Sequence, residues 1–465
     1  MVELADSGNF SLGGVLLAIL CIYVLGGRIL RIYMFGSNGS FMQRHPVVQV
    51  VVLGDIGRSP RMRYHAVSLA DAGCTVDLIG YSGKSVTLSF FYGLPLIDFT
   101  FPPLLQKRIQ EVGSSPIDAS VSAVFVKRGL YPKNPPALPT LIIARFIAFA
   151  RQAWLIIDWH NFGYSILGVK LGHRHPVVRF SKWYEKLFGS KAYAHLTVTD
   201  RMHKELVTWG VEGKLITFKD RPQAHFQRLS TDRIHKFLLT CRLQDIVKGE
   251  TLDADTFLGR MDQNGTLLTQ DIAGTISLRP DRPRLIVSST SWTEDEDFSI
   301  LLRAVEEYEK RAKDDFPNLL FVITGKGPLK SYYEEKISLM RLRKARIITA
   351  WLEAHEYPLL LGSADLGISL HTSSSGMDLP MKVVDMFGCG LPVCAVSFEC
   401  LDELVTDNRN GLIFNTSEEL ANQLVDLFVT EPERISELRT NVIAEYTEKT
   451  WEKQHKDLLS ELFNA

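Results

Sequence analysis

Short apolar runs alternate with amphipathic segments along the chain, and this pattern predicts two α/β units. In the first unit, residues 47–53 predict a strand buried on both faces, because the run is rich in β-branched valine. A helical stretch continues to Ala72, Gly73 stops it, and residues 74–79 predict the next strand. Further strands are predicted at 154–157 and 195–198, with a helix from Asp200. This alternation is typical of a doubly wound parallel sheet.

The same alternation begins again after residue 283. Strands are predicted at 285–287, 319–324, 345–349, 366–370 and 392–396, with helices between them. The stretch 242–282 is polar and predicts a long surface loop. We therefore divide the chain into an N-terminal segment (1–34), a first Rossmann-like domain (46–220), a connection (221–283), a second Rossmann-like domain (284–431) and a C-terminal helix (432–465) that crosses back to the first domain. Residues 81–133 are harder to interpret, and we place no site there.

The N-terminal segment has the pattern of a membrane anchor. Residues 10–27 are 18 residues without a charge, which reaches the length of a spanning helix, about 17–25 residues. Glu3 and Asp6 precede the run, while Arg28, Arg31 and Arg44 follow it. A cleaved signal peptide shows the opposite charge order, and the positive-inside rule places the rest of the chain in the cytosol. A buried core helix is the alternative interpretation.

Composition excludes several classes of protein. The chain has 465 residues, of which 46% are hydrophobic and 23% charged, so it is not a disordered chain. Lys+Arg 52 against Asp+Glu 53 gives a net charge of -1, which argues against a general nucleic-acid binder. The 6 cysteines form no C-x-x-C pair, which argues against a disulfide framework or a zinc site and favours a reducing compartment.

The loop G-D-I-G-R-S-P-R-M at 54–62 lies between a predicted strand and a predicted helix. Backbone N–H groups and the helix dipole can hold a phosphate there, and Arg58 and Arg61 suit a diphosphate. An ordinary solvated basic turn is the alternative. The loop lacks the G-x-G-x-x-G pattern, which argues against a nicotinamide-dependent oxidoreductase.

The segment Asp158-Trp159-His160-Asn161 places polar groups at the end of an apolar strand. Such strand ends form the ligand-binding edge of a parallel sheet. His160 is a candidate general base or a hydrogen-bonding partner of a sugar hydroxyl, and a structural histidine is the alternative. Asp55 and Asp158 are rival candidates for the base.

The second domain carries two candidate phosphate sites. In I-T-G-K-G-P at 323–328, Lys326 lies between Gly325 and Gly327, where backbone can approach a ligand closely and the ammonium can neutralise a phosphate; a plain turn is the alternative. In the dense stretch 371–392, Ser373, Ser374 and Ser375 open a helix that carries Lys382 and Asp385. This start suits a nucleotide diphosphate, with Asp385 accepting ribose hydroxyls. The alternative is a helix that Asp378 caps.

D-x-D spacing, which holds a divalent ion in some nucleotide-sugar enzymes, occurs at Asp253/Asp255 and at Asp295/Asp297. The first pair lies in the polar loop. The second lies in an acidic first helical turn, which the helix dipole already explains. We therefore predict no metal.

The chain resembles the endoplasmic-reticulum β-1,4-mannosyltransferases that act on chitobiosyl-diphosphodolichol. The resemblance spans the anchor and both domains and rests on G-D-I-G-R-S-P-R-M from Gly54, D-W-H-N-F-G-Y-S from Asp158, S-S-T-S-W-T-E-D-E-D-F from Ser288, I-T-G-K-G-P from Ile323 and L-H-T-S-S-S-G-M-D-L-P-M-K-V-V-D-M-F-G from Leu370. It implies a GT-B fold and transfer of the first mannose from GDP-mannose to GlcNAc2-diphosphodolichol on the cytosolic face. Inversion at the anomeric carbon is implied too, with a single general base and no tightly bound cofactor.

On this resemblance the first domain binds the acceptor and the second the nucleotide sugar. His160 or Asp55 is then the catalytic base, and Arg58 and Arg61 bind the acceptor diphosphate. The donor-binding set is Gly325, Lys326, Ser373, Ser374, Ser375, Asp378, Lys382 and Asp385. The chain departs from the wider GT-B pattern, since Thr290-Ser291-Trp292 stands where many retaining relatives carry Gly-Arg and aspartates replace two glutamates. We therefore assign the usual arginine's diphosphate contact to Lys326 and Lys382.

The resemblance also implies partners and a location. The expected partners are the membrane, the dolichol-linked acceptor and other endoplasmic-reticulum mannosyltransferases, with no nucleic acid. The apolar helical stretch 138–150 is a candidate for lying on the membrane, and an internal core helix is an equal alternative. Two alternative functions stay open: a UDP-GlcNAc-dependent lipid-diphosphate glycosyltransferase, and a catalytically silent scaffold for other glycosyltransferases.

Overall fold

The computed structural model describes residues 47–55, 59–81, 96–98, 121–128, 140–241, 257, 264–294, 296–373, 376–446 and 449–463. The predicted membrane anchor (1–34) lies outside these residues. Within them, none of the helices combines the length and the apolar character that crossing a membrane requires.

The first half of the chain forms a seven-stranded parallel sheet in the order β3-β2-β1-β4-β5-β6-β7. Its strands are β1 (Val47–Asp55), β2 (Thr75–Tyr81), β3 (Leu96–Asp98), β4 (Val121–Arg128), β5 (Trp154–Trp159), β6 (Lys191–Thr197) and β7 (Glu212–Thr217). Its helices are α1 (Pro60–Asp71), α2 (Thr140–Ala150), α3 (Gly163–Leu171), α4 (Pro176–Gly189) and α5 (Asp200–Trp209). The strand-helix alternation that the sequence predicted for this half is confirmed.

Helix α1 illustrates how the local sequence sets an element's ends. Pro60 begins the helix, where its missing N–H costs no hydrogen bond. Gly73 follows the end with φ +86°, a left-handed conformation that glycine adopts without strain. Between them, Met62, Ala66 and Leu69 are buried against the sheet.

The second half forms a six-stranded parallel sheet in the order β12-β11-β10-β13-β14-β15. Its strands are β10 (Arg284–Ser289), β11 (Leu319–Thr324), β12 (Ala345–Ala350), β13 (Leu366–Ser369), β14 (Val393–Val396) and β15 (Gly411–Phe414). Its helices are α7 (Ser299–Arg311), α8 (Lys330–Leu339), α9 (Tyr357–Ser363), α10 (Met381–Gly388) and α11 (Ser417–Val425). Leu401–Glu403 adds a 3-10 turn, and Asp426–Thr430 extends α11 as a π-helical turn.

The expected connection 221–283 contains regular structure in its described part. Helix α6 (Thr231–Thr240) and an antiparallel hairpin of β8 (Thr269–Ile272) and β9 (Thr275–Leu278) lie there. Ile234 and Leu238 of α6 are buried in the same core as Leu285 of β10. This part of the chain therefore packs into the core of the second domain. The helical spacing of apolar residues in α6 predicts such packing, but the polar stretch 242–282 that follows favoured a loop.

The C-terminal region consists of two helices, α12 (Arg434–Tyr446) and α13 (Trp451–Phe463), where the sequence predicted one. Thr450 is the N-cap of the second helix. Its hydroxyl accepts from the Lys453 N–H at 3.5 Å, and its carbonyl accepts from the Gln454 N–H at 3.1 Å. Helix α13 packs on the first sheet, where Trp451, Leu458 and Leu462 share a core with Val48 and Val50.

Candidate active site

Asp158 is the centre of a buried charge network at the carboxyl end of β5. Its two oxygens accept hydrogen bonds from Nε and Nη2 of Arg61 at 2.9 and 3.0 Å. The remaining Arg61 nitrogen, Nη1, donates to Asp220 at 2.8 Å. Two histidines complete the cluster, with Nε2 of His160 at 2.7 Å and Nε2 of His65 at 3.3 Å from Asp158 Oδ2.

The electrostatics of this network keep the aspartate ionised. Burial alone would raise the pKa of Asp158, but the charge of Arg61 and the contacts of His160 and His65 outweigh it and hold the pKa well below its usual range. Burial alone would lower the pKa of Arg61, yet Asp158 and Asp220 raise it. Asp158 is therefore a permanent anion that can orient and charge-stabilise a protonated His160.

Arg61 differs from its predicted role. The side chain is 2% exposed, and its guanidinium bridges Asp158 and Asp220 in the interior, with the Phe218 ring 4.8 Å from its guanidinium carbon. A guanidinium in this position has no open side on which to receive a lipid diphosphate. We therefore correct the predicted acceptor contact and assign Arg61 to holding Asp158 in place. Arg58 lies outside the described residues, and its predicted contact stays a prediction.

His160 belongs to the same network, but its side chain is partly exposed to solvent. Its side chain is 17% exposed, whereas Asp158 is fully buried. Because a carboxylate can only accept, the contact at 2.7 Å places a proton on Nε2, and in the neutral ring Nδ1 is then the nitrogen that carries the lone pair. This is the arrangement that a histidine base requires. Asp55, the rival candidate, ends β1, and its side chain lies outside the described part of the chain.

In the second domain, two glycines bring the loop after β11 against the loop after β10. Gly325 has φ +131°, and a Cβ there would lie 1.8 Å from the Thr290 carbonyl oxygen. A Cβ at Gly327 would lie 1.8 Å from the Ser291 carbonyl oxygen. Only glycine fits either position. Between them, Lys326 places its ammonium 3.6 Å from the centre of the exposed Trp351 ring.

Glu296 connects the ends of β10 and α10, and the sequence analysis missed it. The buried carboxylate accepts from Thr290 Oγ1 at 2.5 Å and from the Ser291 N–H at 2.7 Å, and it pairs with the ammonium of Lys382. Burial would raise the pKa of Glu296, but His371, Lys382 and Thr290 together lower it far below its usual range. The helix dipole explains the acidic run 294–297 as a whole, so the sequence pattern does not single out Glu296.

His371 follows β13 and lies between two carboxylates. Its Nδ1 is 3.8 Å from Glu296 and its Nε2 is 3.8 Å from Asp378. Burial would lower the pKa of His371, but Asp378 and Glu296 raise it to about 9. The imidazole is therefore a cation at neutral pH. The signal that singled out His160, a histidine directly after a strand, also applies to His371, which the sequence analysis did not single out.

The predicted serine-rich helix start is present in part. The hydroxyl of Ser373 donates to Asp378, while Ser374 and Ser375 lie outside the described residues. Helix α10 begins at Met381 with Pro380 as its N-cap, so the alternative in which Asp378 caps the helix is wrong. Asp378 instead contacts Ser373 and faces His371.

Asp385 lies on α10, on the side that faces the first domain. Burial raises its pKa well above the usual range, and the charge of Asp220 raises it further. Its own charge in turn helps raise the pKa of Tyr64 in the first domain and of Tyr357 in the second. Asp385 therefore keeps its proton to higher pH and can donate as well as accept a hydrogen bond.

The structure describes only part of the two D-x-D pairs. Asp253, Asp255 and Asp295 lie outside the described residues, and Asp297 accepts from the Ser299 N–H at 3.0 Å. Among the side chains that the structure does describe, no three His, Cys, Asp or Glu residues are grouped to hold a metal ion. Three cationic groups, Lys326, His371 and Lys382, lie at the carboxyl ends of β11 and β13 and on α10. This arrangement is suited to a diphosphate.

Comparison with known proteins agrees with this architecture. Residues 282–429 match the family described as glycosyl transferases group 1. The chain is similar in structure to Alr3699/HepE from Anabaena, whose crystal structure contains UDP and glucose. The match covers 91% of this chain and 100% of the Anabaena chain, with a TM-score of 0.60 and 15% sequence identity. At that identity the likeness shows the fold, a GT-B fold of two Rossmann-like domains.

Two curated relatives are much more similar in sequence. A chitobiosyldiphosphodolichol beta-mannosyltransferase of Mus musculus is 42% identical over 426 residues, which cover 88% of this chain and 87% of the relative. A protein of Arabidopsis thaliana named UDP-glycosyltransferase TURAN is 43% identical over 420 residues, covering 82% of this chain and 88% of the relative. With further matches of the first name from Homo sapiens and Dictyostelium discoideum, the chain is a glycosyltransferase that belongs to the chitobiosyldiphosphodolichol beta-mannosyltransferase family.

Proposed function

We propose that this protein transfers the first mannose from GDP-mannose to GlcNAc2-diphosphodolichol in β-1,4 linkage, with inversion at the anomeric carbon. The observation that carries the proposal is the contact at 2.7 Å between Asp158 and His160 at the carboxyl end of β5. Such an Asp-His pair supplies one base, and one base is what a single inverting displacement needs. The acceptor and the sugar in this proposal are those in the names of the relatives.

In this proposal the first domain (46–220) binds the acceptor. His160 Nδ1 takes the proton from the acceptor's 4-hydroxyl while that oxygen attacks the anomeric carbon of the mannose. Asp158 stabilises the imidazolium that forms, since its low pKa keeps it ionised throughout. A base of this kind contributes about 10²–10⁴-fold to the rate.

The second domain (284–431) binds the nucleotide sugar in the proposal. The diphosphate of GDP gains negative charge as the glycosidic bond breaks, and Lys382, His371 and Lys326 supply the positive charge that stabilises it. Glu296 orients Lys382 and faces His371 at 3.8 Å, so it positions two of these three cations. Because side chains provide this charge, we propose that no tightly bound metal takes part.

We place the enzyme in the endoplasmic-reticulum membrane, as a single-pass protein with both domains in the cytosol. The uncharged run 10–27 and the arginines after it support this topology. A dolichol-linked acceptor stays in the bilayer, so an enzyme confined to the same surface meets it at a higher effective concentration. Other mannosyltransferases of that membrane are the partners that we expect.

A UDP-sugar donor is the second candidate. The observation that favours it is the name of the Arabidopsis thaliana relative, UDP-glycosyltransferase TURAN, at 43% identity. The described contacts of Lys382 and His371 are to carboxylates and do not distinguish guanine from uracil. The donor experiment therefore includes both nucleotides.

The test measures transfer of labelled mannose from GDP-mannose to a chitobiosyl-diphospholipid by the full chain, with EDTA present and UDP-sugars in parallel. We expect a β-linked trisaccharide-lipid from GDP-mannose alone. His160→Ala is expected to lower kcat by at least about 10²-fold. The exposed His355 serves as the matched control, since His355→Ala should leave kcat unchanged. Transfer only from a UDP-sugar would contradict GDP-mannose as the donor. Full activity of His160→Ala would contradict His160 as the base.

A further inference from the structure

Helix α4 has two apolar faces, and only one of them is buried. Val178 and Tyr184 pack into the first domain. On the other side, an outward stripe has its members three or four residues apart, which places them on one helix face. This stripe is Val177, Phe180, Trp183 and Leu187, with Phe180 52% and Trp183 55% exposed. An ordinary surface helix of a globular domain carries polar side chains on that face.

Helix α2 repeats this arrangement. Leu141, Ala144 and Ala148 are buried at helical spacing against the domain. Its outward side carries Ile142, Ile143, Phe146, Ile147 and Phe149, and Phe146 is 58% exposed. A core helix would bury these side chains, so the alternative of an internal helix does not explain this face.

The two helices pack side by side and their outward stripes belong to one surface. The Ile142 N–H of α2 donates to the Tyr184 hydroxyl of α4 at 3.3 Å. At the other side of α4, the Tyr164 N–H of α3 donates to Glu185 at 3.0 Å, and α3 ends in the exposed Val169 and Leu171. We call the outward stripes of α2 and α4 together the outer apolar face.

Within residues 140–189, the charged side chains that the structure describes at the surface are all basic. Residues 140–189 contain two acidic residues, Asp158 and Glu185, and both are buried. The described basic side chains of the same segment lie at or near its surface, and Lys182 pairs with the partly exposed Glu205 of α5 at 3.5 Å. The other described ones are Arg145, Arg151, Arg174, Arg179 and Lys186. Bulky apolar groups rimmed by arginine and lysine are complementary to an anionic lipid surface.

We propose that the outer apolar face lies in the interfacial layer of a lipid bilayer that carries anionic headgroups. Phe146, Phe180 and Trp183 enter the boundary between headgroups and acyl chains, while the arginines and lysines contact phosphates. Helices of 11 and 14 residues are shorter than the roughly 20 residues needed to span a bilayer, so the face lies on the membrane.

The position of this face suits the candidate base. Gly189 at the end of α4 lies against Trp159, since a Cβ there would be 2.6 Å from the indole ring, and His160 is the next residue along the chain. Tyr164, which bonds to Glu185, follows four residues later. The end of α4 therefore lies beside the end of β5. The benefit to catalysis rests on the proposed function, because only a lipid acceptor gains from a base held at the bilayer surface; the lipid contact itself does not depend on it.

Depth-dependent fluorescence quenching tests the lipid contact. The full-length variants Phe146→Cys and Phe180→Cys are each labelled with an environment-sensitive fluorophore. They are then mixed with vesicles of anionic and spin-labelled lipid, and the quenching of the fluorescence by the spin label is measured. The described cysteines are buried, so labelling is directed to the introduced thiol, with the unsubstituted chain as background. The matched control is Leu339→Cys, since Leu339 is 76% exposed on the second domain. We expect strong quenching at both test positions and little at the control. Equal quenching at all three positions would overturn the proposal. A blue shift that depends on protein concentration, without quenching by lipid, would also overturn it and would indicate a protein partner.

Enzyme activity separates this proposal from the proposed function. The double variant Phe146→Ser/Trp183→Ser should lower transfer to a long-chain acceptor in vesicles by about fivefold or more, while transfer to a short-chain soluble acceptor stays unchanged. An equal loss on both acceptors would contradict a membrane role. Quenching without any mannose transfer would leave the lipid contact standing and reject the proposed function. Transfer without quenching would do the reverse.

Discussion

The hydroxyl of Thr199 donates a hydrogen bond to the carbonyl oxygen of Met377 at 2.8 Å. Thr199 follows β6 of the first sheet, and Met377 lies between β13 and α10 of the second, so this bond joins the carboxyl ends of the two sheets. Glu403 strengthens the contact by accepting from the N–H groups of Asp200 and Arg201 at 2.7 and 2.9 Å. The strand ends that carry His160 and His371 therefore face the same space between the domains.

Arg61 is expected to be a stability residue. Arg61→Met removes the cation that bridges Asp158 and Asp220 and leaves two inward carboxylates without it. Breaking a buried pair in this way costs about 3–5 kcal/mol of unfolding free energy. Chemical denaturation measures the loss, and Arg341→Met, at an exposed position, is the matched control. A stable variant that had lost only acceptor affinity would instead support the role first predicted for Arg61.

Lys382 is expected to be essential for turnover. Lys382→Ala removes one of the cations placed for the leaving diphosphate, and we expect kcat to fall at least about 10²-fold, equivalent to about 2.7 kcal/mol of transition-state stabilisation. Mannose transfer under saturating donor measures the change. Lys330→Ala is the control, since Lys330 pairs with Glu334 at 3.3 Å outside this cluster. Near-normal turnover of Lys382→Ala would remove this lysine from the site.

The sequence predicted the sheets well because buried parallel strands are local apolar runs. The run 319–324 coincides with β11, and residues 345–349 lie within β12. The sequence also placed His160 and Lys382 at strand or helix ends. It did not predict what these side chains contact, because the partners lie far apart along the chain. Glu296 is 86 residues from Lys382, and Asp158 is 97 residues from Arg61. No local pattern encodes such pairs.

This limit explains the two main corrections in the site. Arg61 belongs to a stretch that the sequence pattern predicts to be a basic loop, yet it is the second residue of helix α1, and two distant carboxylates and Phe218 enclose it. Glu296 belongs to an acidic run in which its neighbour Asp297 does contact a helix start. The interaction with a helix start explains Asp297, but it does not explain Glu296, whose partners are Thr290 and Lys382.

His371 is expected to make both stability and GDP affinity depend on pH. Its pKa is raised to about 9 in the folded chain, above the value of about 6.5 in an unfolded chain. The stabilisation is therefore complete below pH 6.5 and is lost as the pH rises through about 9. His371→Gln should remove this decline in unfolding free energy between pH 7 and 9, and the wild-type affinity for GDP should weaken over the same range. Parallel titrations of both proteins, by denaturation and by calorimetry, measure the two effects. Identical pH profiles would show that His371 is not the titrating group.

Asp385 is expected to lower the stability of the folded chain at neutral and higher pH. Its pKa is raised well above that of an unfolded aspartate, since the carboxyl is partly buried and Asp220 lies nearby. The folded state keeps the proton that the unfolded state releases, so stability falls as the pH rises above about 4. Asp385→Asn removes this linkage. We expect the variant to be more stable than the wild type at pH 7.5, with the difference shrinking toward pH 4, and Asp71→Asn at an exposed helix end to show no such gain. A pH-independent difference, or a loss of stability at pH 7.5, would mean that the Asp385 carboxylate is ionised and paired in the folded protein.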